Sequence, residues 1–135
     1  MKKITALLLI LFCFTSMLYS SAADKYVESA SEKIQSNDYS GAIKDLNKSI
    51  KLNPKLSNAY FVRGTAKIGL GDYQSAIKDF NQAIELDPKF VNFYVARGLA
   101  KVTLNDFEGA IKDLNKSIEL DPCKFRRMTT TFSAA

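Results

Sequence analysis

Two arginines, Arg63 and Arg97, stand 34 residues apart, and three aspartates, Asp45, Asp79 and Asp113, recur at the same step. A guanidinium matches a carboxylate fork to fork. The shared phase points to Arg–Asp pairs between adjacent helices; the alternative is that the arginines meet an acidic ligand. Little else is equipped for chemistry. The chain has no histidine, so neither an imidazole general base nor a Ser-His triad is available. Its two cysteines are Cys13 and Cys123, and a thiol without an imidazole partner is a poor nucleophile. Zinc sites need clustered Cys or His at set spacing, and no glycine-rich phosphate loop is present. The remaining carboxylates have structural places: Asp38, Asp72 and Asp106 as helix caps, Asp87 and Asp121 ahead of prolines. We therefore expect no catalytic residue, no metal, no cofactor and no small-molecule substrate.

The elements that position these residues follow from a repeat. Pro54, Pro88 and Pro122 are 34 residues apart; Tyr39, Tyr73 and Phe107 keep the step, as do Ala42, Ala76 and Ala110. Residues Ala42–Ile50 reappear unchanged as Ala110–Ile118. Within the second unit, Tyr73, Ala76, Ile77, Phe80, Ala83 and Ile84 fall at the three-and-four spacing of an amphipathic helix. Asp72 caps its start, and Asp87-Pro88 ends it, because proline restricts the residue before it and has no N–H to donate. A first helix spans about Ser57 to Leu70, with Tyr60, Gly64 and Ile68 on one face, matched by Tyr94, Gly98 and Val102. Glycine costs about 1 kcal/mol in a helix relative to alanine. Its recurrence implies a close approach, which Ala76 and Ala83 permit from the other side.

Units of the form Y-x-x-x-G-x-A-K-x-x-L-x-D-Y/F-x-x-A-I-K-D-x-N-x-x-I-E-L-D-P resemble tetratricopeptide repeats. The likeness covers three units, 23–56, 57–90 and 91–124, and is fullest in the second, with Tyr60, Gly64, Ala66, Asp72, Tyr73, Ala76, Phe80, Ala83 and Pro88. It implies an all-α solenoid, a right-handed superhelix of stacked helix pairs whose first helices line a concave groove for a peptide or partner helix. Some tetratricopeptide proteins clamp a C-terminal carboxylate with Lys, Asn and Arg on their first helices. The corresponding surface here offers Val27, Glu28, Ser31, Asn58, Phe61, Val62, Thr65, Asn92, Val95, Ala96 and Leu99. That clamp is absent, and the mixed surface suits an uncharged or partly apolar peptide, unless these residues only face solvent.

Both ends differ from the repeat. Met1-Lys2-Lys3 is a basic start, Ile4 to Leu18 is almost wholly apolar, and Ser21-Ala22-Ala23 is small. This is the layout of a secretory signal over residues 1–23, cut after Ala23, which places the protein outside the cytoplasm, in a periplasm or secreted. An uncleaved inner-membrane anchor over residues 4–20 is the alternative, since a bilayer needs about 20 apolar residues. A lipoprotein signal at Cys13 fits less well, because Phe12 stands where a small residue is wanted. The formal charge of +5 falls to +3 without Lys2 and Lys3, and that excess sits in Lys124, Arg126 and Arg127. The repeat body is balanced, so no nucleic-acid partner is expected; the basic tail alone argues for one. Residues 123–135 read as an irregular tail rather than a covering helix, whether as a true terminus or a truncated or shifted frame. Ile111, Leu114 and Ile118 would then be partly uncovered, a surface for partner docking or a homo-oligomer. The function expected is a protein-interaction scaffold of the cell envelope; the alternative is a membrane-anchored accessory subunit.

Overall fold

Capping and proline signals bound the second helix of each repeat where the sequence places it. The computed structural model describes residues 2–123, with side chains from residue 8 onward. Six helices follow in order: α1 (Lys2–Gln35), α2 (Tyr39–Leu52), α3 (Ser57–Gly69), α4 (Tyr73–Leu86), α5 (Val91–Thr103) and α6 (Phe107–Leu120). No strand occurs among the described residues. The second helix of each unit starts at an aspartate whose carboxylate accepts a backbone N–H: Asp38 from Gly41, Asp72 from Ser75 and Asp106 from Gly109, at 2.9 to 3.1 Å. Each ends where Asn53, Asp87 or Asp121 turns extended, with ψ of 90°, 87° and 82°. The following proline disfavours the helical region there.

Inside each unit the two helices are joined by a tight turn with one residue in the left-handed region: Asn37 (φ 62°), Gly71 (φ 79°) and Asn105 (φ 62°). The next N–H reaches back to a carbonyl of the first helix. Asp38 donates to Lys33, Asp72 to Lys67 and Asp106 to Lys101, at 2.8 to 2.9 Å. This long-range bond is that of a Schellman stop.

Helices pack as α1 with α2, α3 with α4 and α5 with α6, and the pairs stack through α2 with α3 and α4 with α5. The chain is an all-α solenoid. Buried apolar residues are mostly small, including Ala23, Ala42, Ala76, Ala83 and Ala110, with Leu46, Phe80 and Phe93 as the largest fully buried apolar side chains. One cluster joins Val27, Ala30, Ala42, Leu46, Ala59 and Ala66; a second joins Ala76, Phe80 and Ala100.

α1 carries the apolar N-terminal stretch and the first helix of unit one without a break. Nothing between Ser20 and Asp24 is a glycine or proline that would stop it. Its side chains from Leu8 to Ser21 face solvent, with Phe12 and Met17 both 73% exposed. Among the described residues no helix is long and apolar enough to cross a membrane. The anchor reading begins at residue 4, whose side chain lies outside the described residues, as does the whole basic tail from residue 124.

The two repeated glycines differ in tolerance. A Cβ on Gly64 would stand 2.6 Å from Phe80 Cε1, whereas on Gly98 the nearest atom is Leu114 Cγ at 3.4 Å. Gly64→Ala is expected to cost roughly 1–3 kcal/mol through overpacking. Gly98→Ala is expected to be neutral or stabilising by up to about 1 kcal/mol through helix propensity. Urea unfolding of both variants checks the difference.

Candidate functional site

At the middle of each second helix an aspartate turns inward: Asp45, Asp79 and Asp113 are 7%, 5% and 4% exposed. A carboxylate this buried must be paired. Arg63 on α3 binds Asp79 in a fork, Nε to Oδ2 at 2.9 Å and an Nη to Oδ1 at 2.7 Å, and Lys67 reaches the same carboxylate at 2.8 Å. Arg97 and Lys101 on α5 hold Asp113 in the same way, at 2.5 to 2.9 Å. In unit one Ser29 stands at the arginine position; Asp45 accepts from its hydroxyl at 2.8 Å and from Lys33 at 2.5 Å.

The guanidinium does more than pair. Its other Nη donates to a side-chain carbonyl on the second helix of the preceding unit: Arg63 to Asn47 at 2.8 Å, Arg97 to Asn81 at 2.7 Å. Its face lies over a tyrosine, Tyr60 at 5.5 Å and Tyr94 at 5.7 Å. Those tyrosine hydroxyls donate to the carbonyls of Pro54 and Pro88, at 3.1 and 2.9 Å. The arginines therefore serve structure and face the aspartates rather than an open groove. The lysines at 33, 67 and 101 share the 34-residue step; the repeat pattern carries them without marking them as partners of the aspartates.

The ionisation follows from the pairing. Burial pushes the Asp113 carboxyl up, but hydrogen bonds from Arg97 and Lys101 outweigh it and leave its pKa below the ordinary carboxylate value. The Lys33 hydrogen bond holds Asp45 below that value too, against burial.

Between them, α1 and α3 form an open recess of ≈ 240 Å³ lined by Ser31, Ile34, Gln35, Phe61, Val62 and Thr65. Of the expected groove residues it gathers Ser31, Phe61, Val62 and Thr65. Asn58, Asn92, Val95, Ala96 and Leu99 do not line it; Asn58, Asn92 and Leu99 are exposed, while Val95 and Ala96 are half-buried. Val27 belongs to the core rather than the groove. Phe61 is half-buried, packed on Phe93 at 5.1 Å and Phe80 at 5.9 Å between ring centroids. The sequence analysis names neither Ile34 nor Gln35 as a groove residue, although Ile34 keeps the 34-residue step of Ile68 and Val102. Among the described residues no group of three acidic, His or Cys side chains is placed to hold a metal.

The tetratricopeptide repeat pattern matches residues 57–90 in one form and 23–56 and 91–122 in another. The chain belongs to the tetratricopeptide repeat family. Its fold is shared with MamA (25% identity, TM-score 0.73, over 79% of this chain and 63% of MamA). It is also similar to the tetratricopeptide domain of Arabidopsis OM64 (26%, 0.74, over 77% and 86%). A third similar structure is the TPR2B domain of yeast Sti1 in complex with pHsp70 (28%, 0.73, over 75% and 81%). This tetratricopeptide chain thus spans less than two thirds of MamA's length. No curated protein matches it in sequence.

Removing the Asp79 carboxylate strands Arg63 and Lys67, and Asp79→Ala is expected to cost about 3 kcal/mol in urea unfolding. For Asp45 and Asp113 the folded pKa lies below the unfolded one. Their stabilisation is present above about pH 4, the ordinary carboxylate pKa, and is lost as pH falls through the folded values. Urea midpoints are expected to drop below about pH 4, and Asp113→Asn to flatten part of that drop.

Proposed function

We propose that the chain is a protein-interaction scaffold that holds an uncharged, partly apolar peptide segment in the recess between α1 and α3. The observation that carries this is where the cations go. Every arginine and lysine of α3 and α5 is committed to a buried aspartate, and none of the six recess residues is charged. A carboxylate ligand would find no cation on those helices, whereas an apolar side chain would find Ile34, Phe61 and Val62. The Sti1 relative supports the broader point, since its structure contains a bound partner. A preformed recess lowers the ordering cost of binding.

Selection of a displayed peptide library on the full chain tests this. Recovered sequences are expected to be uncharged and partly apolar, and Thr65→Glu at the exposed rim is expected to weaken them at least tenfold with the urea midpoint unchanged. Peptides whose binding depends on a terminal carboxylate would count against the reading.

Export through residues 1–23 is part of the same proposal, and the buried end of the first unit constrains it. Ala23 is 0% exposed and its carbonyl accepts from the Ser49 hydroxyl at 2.8 Å. A cut after Ala23 removes that partner; a cut after Ala22, with Ser20 and Ala22 as the small residues, keeps it. The second reading, an anchored subunit, is favoured by the unbroken α1, which would carry the solenoid directly on its membrane segment. Intact mass of the chain from its native cell distinguishes a start at Ala23, a start at Asp24 and an uncut chain, the last of which supports the anchor.

A further inference from the structure

The nine residues shared by α2 and α6 stand in different surroundings. On α2, Ile43 is half-buried and packs with a cluster that includes Ala59, Val62 and Ala66 of α3. Beside it, Asn47 receives the Arg63 guanidinium. α4 repeats the arrangement: Ile77 packs against a cluster that includes Ala100 of α5, against which Ala96 also packs, and Asn81 receives Arg97. Among the described residues nothing covers the α6 counterparts in this way: Ile111 is 59% exposed and Phe107 56% exposed, where Ile43, Ile77, Tyr39 and Tyr73 are half-buried, and Asn115 is exposed as Asn47 and Asn81 are. The face continues an interface that the chain itself forms twice, each time with an arginine-bearing helix.

We infer that this face of α6 is a docking site for a helix of a partner protein carrying an arginine directly after a small or β-branched apolar residue and three residues before an alanine. That is the spacing of Val62-Arg63 with Ala66 and of Ala96-Arg97 with Ala100. The arginine donates to the Asn115 side-chain carbonyl, and its apolar neighbours cover Ile111 and Phe107. A second copy stacked head to tail does not fit. Where α3 has Ala59, Val62, Arg63 and Ala66, α1 has Lys25, Glu28, Ser29 and Glu32. Lys25, Glu28 and Glu32 are exposed, and pressing them onto Ile111 and Phe107 would strip their water without supplying partners. The site is separate from the recess between α1 and α3.

The probe is a fluorescent peptide with the sequence of residues 57–70, held helical by a hydrocarbon staple on its solvent side and titrated with the full chain. Anisotropy is expected to rise saturably. Ile111→Glu in the chain is expected to abolish the rise at an unchanged urea midpoint, because Ile111 is largely outside the core. A probe with alanine in place of its arginine is expected to bind about tenfold more weakly, the worth of one charge-assisted hydrogen bond. A stapled probe with the sequence of residues 23–36 is expected not to bind. Absence of saturable binding by the first probe overturns the inference, as does binding that survives Ile111→Glu, which would mean exchange with the chain's own α3 at α2. A concentration-dependent dimer dissolved by Ile111→Glu overturns it too, by giving the face to a second copy.

Discussion

One buried carboxylate per helix pair is the constraint around which the rest is arranged. Leaving Asp79 or Asp113 unpaired at 5% or 4% exposure would cost several kcal/mol. The facing helix must therefore bring its cations to within hydrogen-bond distance, which fixes the crossing of α3 on α4 and of α5 on α6. Because the arginine also reaches Asn47 or Asn81 in the unit before, the same group closes one pair and joins it to its neighbour. Coupling of this kind, repeated unit by unit, is how a one-dimensional array gains cooperativity. Unit one shows what happens without it: with Ser29 at that position, Asp45 keeps a lysine and a hydroxyl.

Signals with one physical meaning were legible in the sequence. The caps at Asp38, Asp72 and Asp106 and the stops before Pro54, Pro88 and Pro122 give the second helices nearly to the residue. Gly64 was readable as a close approach because no other role suits a glycine in mid-helix. The left-handed turn residues were not: glycine announces such a turn at Gly71, but Asn37 and Asn105 occupy it without a distinctive signal. Lys33, Lys67 and Lys101 were obscured differently. Lysine on a helix is ordinarily a solvated residue, and only their four-residue offset from Ser29, Arg63 and Arg97, together with the 34-residue step, marks them as partners of the buried carboxylates.

The candidate groove was legible as a face but not as a cavity. The tetratricopeptide resemblance is what assigns Asn58, Phe61, Thr65 and their counterparts to the groove side of the first helices. Which of them meet depends on how α1 leans on α3, and that lean is set by packing beneath them. Phe61 illustrates it. Its contacts with Phe80 and Phe93 hold the ring between units, so one side chain both fills the core and lines the recess. A substitution there would change stability and binding together, which is why the exposed Thr65 is the cleaner handle on binding alone.

Small side chains explain why polar pairing carries so much weight here. Most of the buried apolar residues among those described are alanines, and each contributes little apolar area on its own. What alanine and glycine provide is proximity, letting helix backbones approach until dispersion and directional bonds operate at close range. A core of larger side chains can fix helix register by shape. A core of alanines offers less shape for this, and the fork from Arg63 to Asp79 and its counterpart from Arg97 to Asp113 fix the helix pairs by directional bonds. The same consideration applies to the identical segments on α2 and α6: nine shared residues specify a surface, but the arginine placed opposite determines whether that surface becomes an interior.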